Sequence, residues 1–133
     1  LNARIPAAPE RVYAALTDAE IAKQWWSGGP WSFEELVLEA RPGGRFIYAI
    51  ANKEDGSKYR TWGEYLHAVP PHRLVWTNQE GGGTYVSLWL EPDGNGTRLT
   101  AYQGVFATAE ECAMHQQGWS GSIDQLAALL ESD

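Results

Sequence analysis

The sequence predicts an α+β domain: an antiparallel sheet of about six to seven strands covered by one long C-terminal helix. Three observations predict it. From residue 34 to about 103, apolar residues recur with a period of two. Successive runs are joined by hairpin-type loops such as "NKEDGSK" and "PDGNG". The last segment returns to a helical period, and a lone amphipathic helix needs a sheet face to bury its stripe.

The elements follow in order. "LNARI" reads as a short strand; it opens without Met, so residues are expected upstream. "PAAPERVYAALTD" begins a helix with Pro9 in its first turn, where the missing N–H costs nothing. Val12, Ala15 and Leu16 form its apolar face. Asp18 is placed to cap a second short helix, "AEIAKQWW", which Gly28, Gly29 and Pro30 stop. Ile21 and Trp25 share one face of that helix, so Trp25 is assigned to the core. Trp26, turned about 100° away, is assigned to a rim. Trp31 and Phe33, beyond the break, are expected to form a movable lid.

Strands then follow at "EELVLEA", "RFIYAI", "YRTWGEYLHAV", "HRLVWTNQ", "TYVSLWLE" and "TRLTAYQG". Asp55-Gly56 marks one hairpin tip, and "RPGG" another turn. In the final helix Cys112, His115, Trp119, Ile123, Leu126 and Leu130 fall at steps of three or four. Thr108 and Glu111 have the spacing of a capping box. Residues 1–133 read as a single domain, with no repeat or linker.

Composition removes several classes. The formal net charge is −7, and the ten Lys and Arg form no basic run. Nucleic acids and anionic membranes both attract basic patches, so neither is an expected partner. One cysteine allows no internal disulfide, which suits a reducing cytosol. No run approaches the ~20 apolar residues of a membrane span, and none reads as a signal peptide. A cytoplasmic location is expected. The unusual feature is aromatic: seven Trp and six Tyr.

The stretches "APERVYAALTD", "AEIAKQWW", "RPGGRF", "GEYLHAVPPHRLVW", "GNGTRLT" and "HQQGWSGSIDQLAALL", in this order and spacing, resemble the START-like, birch-pollen-allergen-like (SRPBCC) superfamily. The nearest likeness is to the branch named after the C-terminal domain of the activator of heat-shock protein 90 ATPase. The resemblance spans nearly the whole chain. It implies a helix-grip fold, a curved sheet around the long helix with a cavity between them. Relatives bind lipids, hormones or polyketides, and a few are cyclases or dehydratases. The separate N-terminal domain of the eukaryotic activator is absent from this sequence.

Alternation gives the inward face: Phe46, Tyr48 and Ile50; Leu74, Trp76 and Asn78; Val86, Leu88 and Leu90; Leu99, Ala101 and Gln103. In the strand at 61–69, Gly63 and Tyr65 are placed inside with His67, and Trp62, Glu64 and Leu66 outside. A mostly apolar surface with a few polar groups is how small-molecule pockets are built. The expected ligand-binding residues are Trp26, Trp31, Phe46, Tyr48, Tyr65, Trp76, Asn78, Leu88, Gln103, His115, Trp119 and Ile123.

No catalytic constellation stands out. His115 faces the expected pocket without a carboxylate to orient it. The three histidines are dispersed, so neither a metal nor another cofactor is expected. Glu34 and Glu35, as strand neighbours, are expected on opposite faces. Gly118 and Gly121 are expected to let the helix approach the sheet. "GWSGS" is not a nucleophile elbow, and "GGGT" lacks the Lys of a phosphate loop.

The primary functional expectation is binding of a small hydrophobic or aromatic molecule. The alternatives are a polyketide-cyclase-like or dehydratase-like enzyme, and a protein-interaction or chaperone-regulating module. Outward Tyr85, Trp89 and Tyr102 raise the further expectation of a homodimer through the outer sheet face.

Overall fold

The computed structural model describes residues 2–26, 30–78, 84–104 and 109–131, with side chains undescribed at 109–118. Its elements are β1 (Asn2–Ile5), α1 (Pro9–Thr17), α2 (Ala19–Ala22), β2 (Trp31–Leu38), β3 (Arg45–Asn52), β4 (Lys58–Val69), β5 (Arg73–Asn78), β6 (Thr84–Asp93), β7 (Gly96–Gly104) and α3 (Ala109–Glu131). The strands form one curled antiparallel sheet in the order β1-β7-β6-β5-β4-β3-β2.

The order is a simple meander except for β1, which pairs with β7 at the far edge. The chain must therefore cross from one sheet edge to the other between β1 and β2. The two short helices make that crossing. Pro9 opens α1, and Val12, Tyr13, Ala15 and Leu16 are buried at helical spacing. Asp18 ends α1 in an extended conformation and caps α2, its Oδ1 accepting from the Glu20 and Ile21 amides at 2.9 and 3.4 Å.

The second helix is shorter than the sequence suggests. It ends at Ala22, and residues 23–26 continue as turns. The indoles of Trp25 and Trp26 stack, with ring centres 5.0 Å apart and planes 7° from parallel. Neighbours on a regular helix point about 100° apart and cannot do this. Trp25 is fully buried, as expected, and its Nε1 donates to the Ala15 carbonyl at 2.9 Å.

The inward face follows the expected alternation. Phe46, Leu74, Trp76, Val86, Leu88, Leu90 and Leu99 are all buried, and Ile123, Leu126 and Leu130 of α3 pack into the same core. Arg11 of α1 donates to the Leu130 carbonyl at 3.3 Å, satisfying an end-of-helix acceptor on α3. The turns also follow sequence: Gly43, Gly56 and Gly94 take positive φ values of 82°, 74° and 62°.

Two β-bulges alter side-chain directions. In β4 the register slips between Tyr65 and His67, so Tyr65 is buried while His67 is exposed. Gly63 and Tyr65 face inward as expected, but His67 does not share their face. A Cβ at Gly63 would overlap the Thr77 carbonyl, so the strands approach there more closely than any side chain allows. In β2 the slip between Phe33 and Glu35 leaves Glu34 and Glu35 both exposed. Glu34 pairs with Lys58 at 3.1 Å and Glu35 with Arg60 at 4.0 Å. The expectation of opposite faces fails because the bulge adds one residue of phase.

Two further expectations are corrected. Trp31 and Phe33 form no separate lid: they are strand residues, paired with Asn52 and Ile50. Gly121 is exposed and nothing lies within 4 Å of where its Cβ would be, so it serves no close approach. Thr108 and the side chains of Glu111, Cys112, His115 and Gly118 lie outside the described residues.

On the outer sheet face, Tyr85, Trp89 and Tyr102 are 40%, 44% and 53% exposed, beside exposed Trp62 and Leu66. Arg73 lies over the Trp89 ring at 3.8 Å, and Tyr85 and Tyr102 pack at 5.6 Å. Among the described residues no helix is long and apolar enough to cross a membrane.

Candidate functional site

A cavity of about 460 Å³ lies between α3 and the inner sheet face, and it is open to solvent. Its size falls within the ~300–1,000 Å³ of small-molecule pockets. Each wall comes from a different element. β3 supplies Phe46, Tyr48 and Ile50; β4 supplies Lys58, Tyr59 and Thr61. β5 supplies Trp76 and Asn78, and β7 supplies Gln103. Trp119 and Ser122 look out from α3, while Trp26 and Trp31 close the side formed after the helix pair.

Trp26 is the centre of the aromatic wall. Its ring lies 5.7 Å from Tyr48, 5.9 Å from Trp119, 6.0 Å from Trp76 and 6.2 Å from Phe46, none of these pairs being parallel. Tilted and edge-on arrangements match the ring quadrupoles. The residue is 6% exposed, so it is a wall rather than the expected rim. Phe46 and Trp76 stack at 5.0 Å and 25°, giving a continuous apolar surface across β3 to β5.

Two hydrogen-bond sets hold this wall. Tyr48 Oη and Ser122 Oγ both donate to the Trp26 carbonyl at 3.2 Å, filling its two lone pairs. They tie the end of the helix pair to β3 and α3. Burial pushes the Tyr48 phenol up to about 12, so it remains a neutral donor. In the second set Trp119 Nε1 donates to Gln103 Oε1 at 2.8 Å, and Gln103 Nε2 donates to Thr84 Oγ1 at 3.1 Å. Gln103 thus clamps α3 to the sheet, with both ends of its amide engaged.

A third set is incomplete. Thr61 Oγ1, Trp76 Nε1 and Asn78 Oδ1 are buried with no hydrogen-bond partner. Leaving a buried polar group unpaired costs roughly 1–3 kcal/mol. All three residues line the cavity, and all lie on the neighbouring strands β4 and β5.

The titratable residues of the described wall are Tyr48, Lys58 and Tyr59. Glu64 is exposed on the outer face, and among the described residues no cluster of three His, Cys, Asp or Glu could hold a metal.

Of the residues expected to contact a ligand, Trp26, Trp31, Phe46, Tyr48, Trp76, Asn78, Gln103 and Trp119 line the cavity. Tyr65, Leu88 and Ile123 belong to the same buried cluster but do not line the cavity. Tyr65 is shielded edge-on by Phe46 at 6.1 Å. The His115 side chain lies outside the described residues. Sequence reasoning did not name Lys58, nor Ile50 although it placed that residue inward, and it passed over Tyr59, Thr61 and Ser122. Their signal was present: Tyr59 and Thr61 continue the phase of Gly63 and Tyr65, and Ser122 is one turn after Trp119.

The comparisons with known proteins agree on one relationship. A protein of Chromobacterium violaceum has a solved structure that superposes with a TM-score of 0.86 at 31% identity, covering 97% of this chain and 94% of that one. A Rhodobacter sphaeroides protein gives 0.85 at 28%, covering 99% and 92%. A Nitrosomonas europaea protein gives 0.83 at 27%, also covering 99% and 92%. No curated protein matches the sequence. The model of the family described as "Activator of Hsp90 ATPase homolog 1-like protein" matches residues 6–131. With that match spanning nearly the full length, the chain belongs to the family of activator of Hsp90 ATPase homolog 1-like proteins.

Proposed function

We propose that the cavity between α3 and the sheet binds a small, mainly apolar molecule. One observation carries this reading: a cavity of about 460 Å³ walled by four of the seven tryptophans, Trp26, Trp31, Trp76 and Trp119. A domain of this size stabilises itself by filling its core, because voids forfeit dispersion contacts. An aromatic-lined space left open is therefore a site to be filled by something else. The family commonly binds hydrophobic ligands, which supports the same reading.

The check is a titration of tryptophan emission with naphthol. Stacking against the Trp26–Trp76 wall changes the emission of several indoles together, so saturable quenching with a one-to-one endpoint is expected. An emission that stays flat across the soluble range of naphthol, and across a wider panel of aromatic compounds, contradicts the proposal.

A further inference from the structure

We propose that the ligand is an uncharged, flat molecule whose hydroxyl or carbonyl group faces the β4–β5 wall, where Thr61, Trp76 and Asn78 receive it. This rests on the reading that the cavity binds a small molecule, and it adds the ligand's charge and its orientation.

Three observations support it. The first is charge. The one charged residue of the described wall, Lys58, is paired with Glu34 at 3.1 Å. Among the described residues an ionised ligand would find no unpaired counter-ion in an apolar space, which is costly. The second is shape. The stacked Phe46–Trp76 pair and Trp26, each at most 6% exposed, form one closely packed aromatic wall against which a flat apolar body fits.

The third is the distribution of unmet hydrogen bonds. Among the described residues, the polar wall groups of α3 and β7 are engaged, with Ser122 on the Trp26 carbonyl and Trp119 on Gln103. The unpaired buried atoms of the described wall, Thr61 Oγ1, Trp76 Nε1 and Asn78 Oδ1, are all on β4 and β5. Among the described residues, the buried wall atoms that a ligand hydroxyl or carbonyl finds unpaired are therefore those of β4 and β5. These three atoms are closed to water as they stand. Binding thus includes a side-chain adjustment; one staggered step about χ1 moves the Thr61 hydroxyl into the position of its methyl group and the methyl into that of the Cβ hydrogen.

The test compares naphthol, methylnaphthalene and naphthoate, substituted at the same ring position, by calorimetry on wild type, Thr61→Val and Asn78→Leu. Thr61→Val keeps the side-chain shape, and a melting temperature equal to or above wild type confirms its fold, since it removes an unpaired hydroxyl. In the wild type naphthol should bind about tenfold tighter than methylnaphthalene, and naphthoate weakest; in each variant the first two should converge to within about threefold. Equal wild-type affinity for naphthol and methylnaphthalene overturns the inference while leaving the binding proposal intact. So does a preference for naphthol that survives in Thr61→Val and Asn78→Leu, or a preference for naphthoate. Failure of all three compounds to bind overturns the inference together with the proposal beneath it.

Discussion

A Trp25→Ala variant is expected to lose about 3–5 kcal/mol of unfolding free energy, measured by chemical denaturation. Trp25 is fully buried, and three interactions end with it. The side chain fills the space between the helix pair and the sheet, and removing it leaves a cavity that rigid neighbours close only in part. Its ring stacks on Trp26 at 5.0 Å, so the central residue of the cavity wall loses its backing. Its Nε1 also bonds the Ala15 carbonyl. Ala15 lies in the last turn of α1, where carbonyls have no partner within the helix. Trp25 therefore caps the first helix from beyond the second. A Trp25→Phe variant separates these effects. It keeps the packing and loses the bond, so a smaller loss of about 1–2 kcal/mol is expected. A loss below about 1 kcal/mol in Trp25→Ala would show that the helix pair is not held by this side chain.

A Ser122→Phe variant is expected to weaken naphthol binding by at least about tenfold while leaving the melting temperature within a few degrees of wild type. Ser122 is half-buried on α3 and lines the cavity one turn after Trp119. A phenyl group there enters space that a ligand needs. The fold gives up little: the Trp26 carbonyl keeps the Tyr48 hydroxyl when the Ser122 hydroxyl is removed. Added ring surface against Trp26 and Trp119 offsets the lost bond. An unchanged naphthol affinity in a folded Ser122→Phe protein would place the ligand elsewhere.

The sheet was legible in sequence because its signal is periodic and redundant. Phe46, Leu74, Trp76, Val86, Leu88 and Leu99 were all placed inward by alternation alone, and all are buried. The turn glycines were legible for a different reason: Gly43, Gly56 and Gly94 hold φ values that side chains resist. What escaped depends on neighbours distant in sequence. A bulge is decided by the ladder partner, so neither slip, at Phe33/Glu35 nor at Tyr65/His67, has a local marker. The end of α2 escaped similarly. Helical spacing put Trp26 at a rim, whereas ring stacking with Trp25 and contacts to Phe46, Tyr48, Trp76 and Trp119 draw it into the wall.

The candidate site was legible as a face but not as a volume. Alternation names residues that point inward; it does not say which of them meet one another and which meet empty space. Leu88 and Asn78 lie on the same face, yet Leu88 is in the core and Asn78 at the cavity. That division is set by sheet curvature and by where α3 lies, which are properties of the assembled layers.

The most direct test of a ligand cavity inside the sheet uses the seven indole N–H signals of the protein as position markers. Their proton–nitrogen correlation spectrum is recorded during a naphthol titration. Trp26, Trp31, Trp76 and Trp119 line the cavity, Trp25 is buried behind it, and Trp62 and Trp89 are exposed outside it. A cavity that binds naphthol shifts the first four signals saturably and leaves those of Trp62 and Trp89 in place. Shifts confined to Trp62 and Trp89, with the four cavity indoles unmoved, would contradict it.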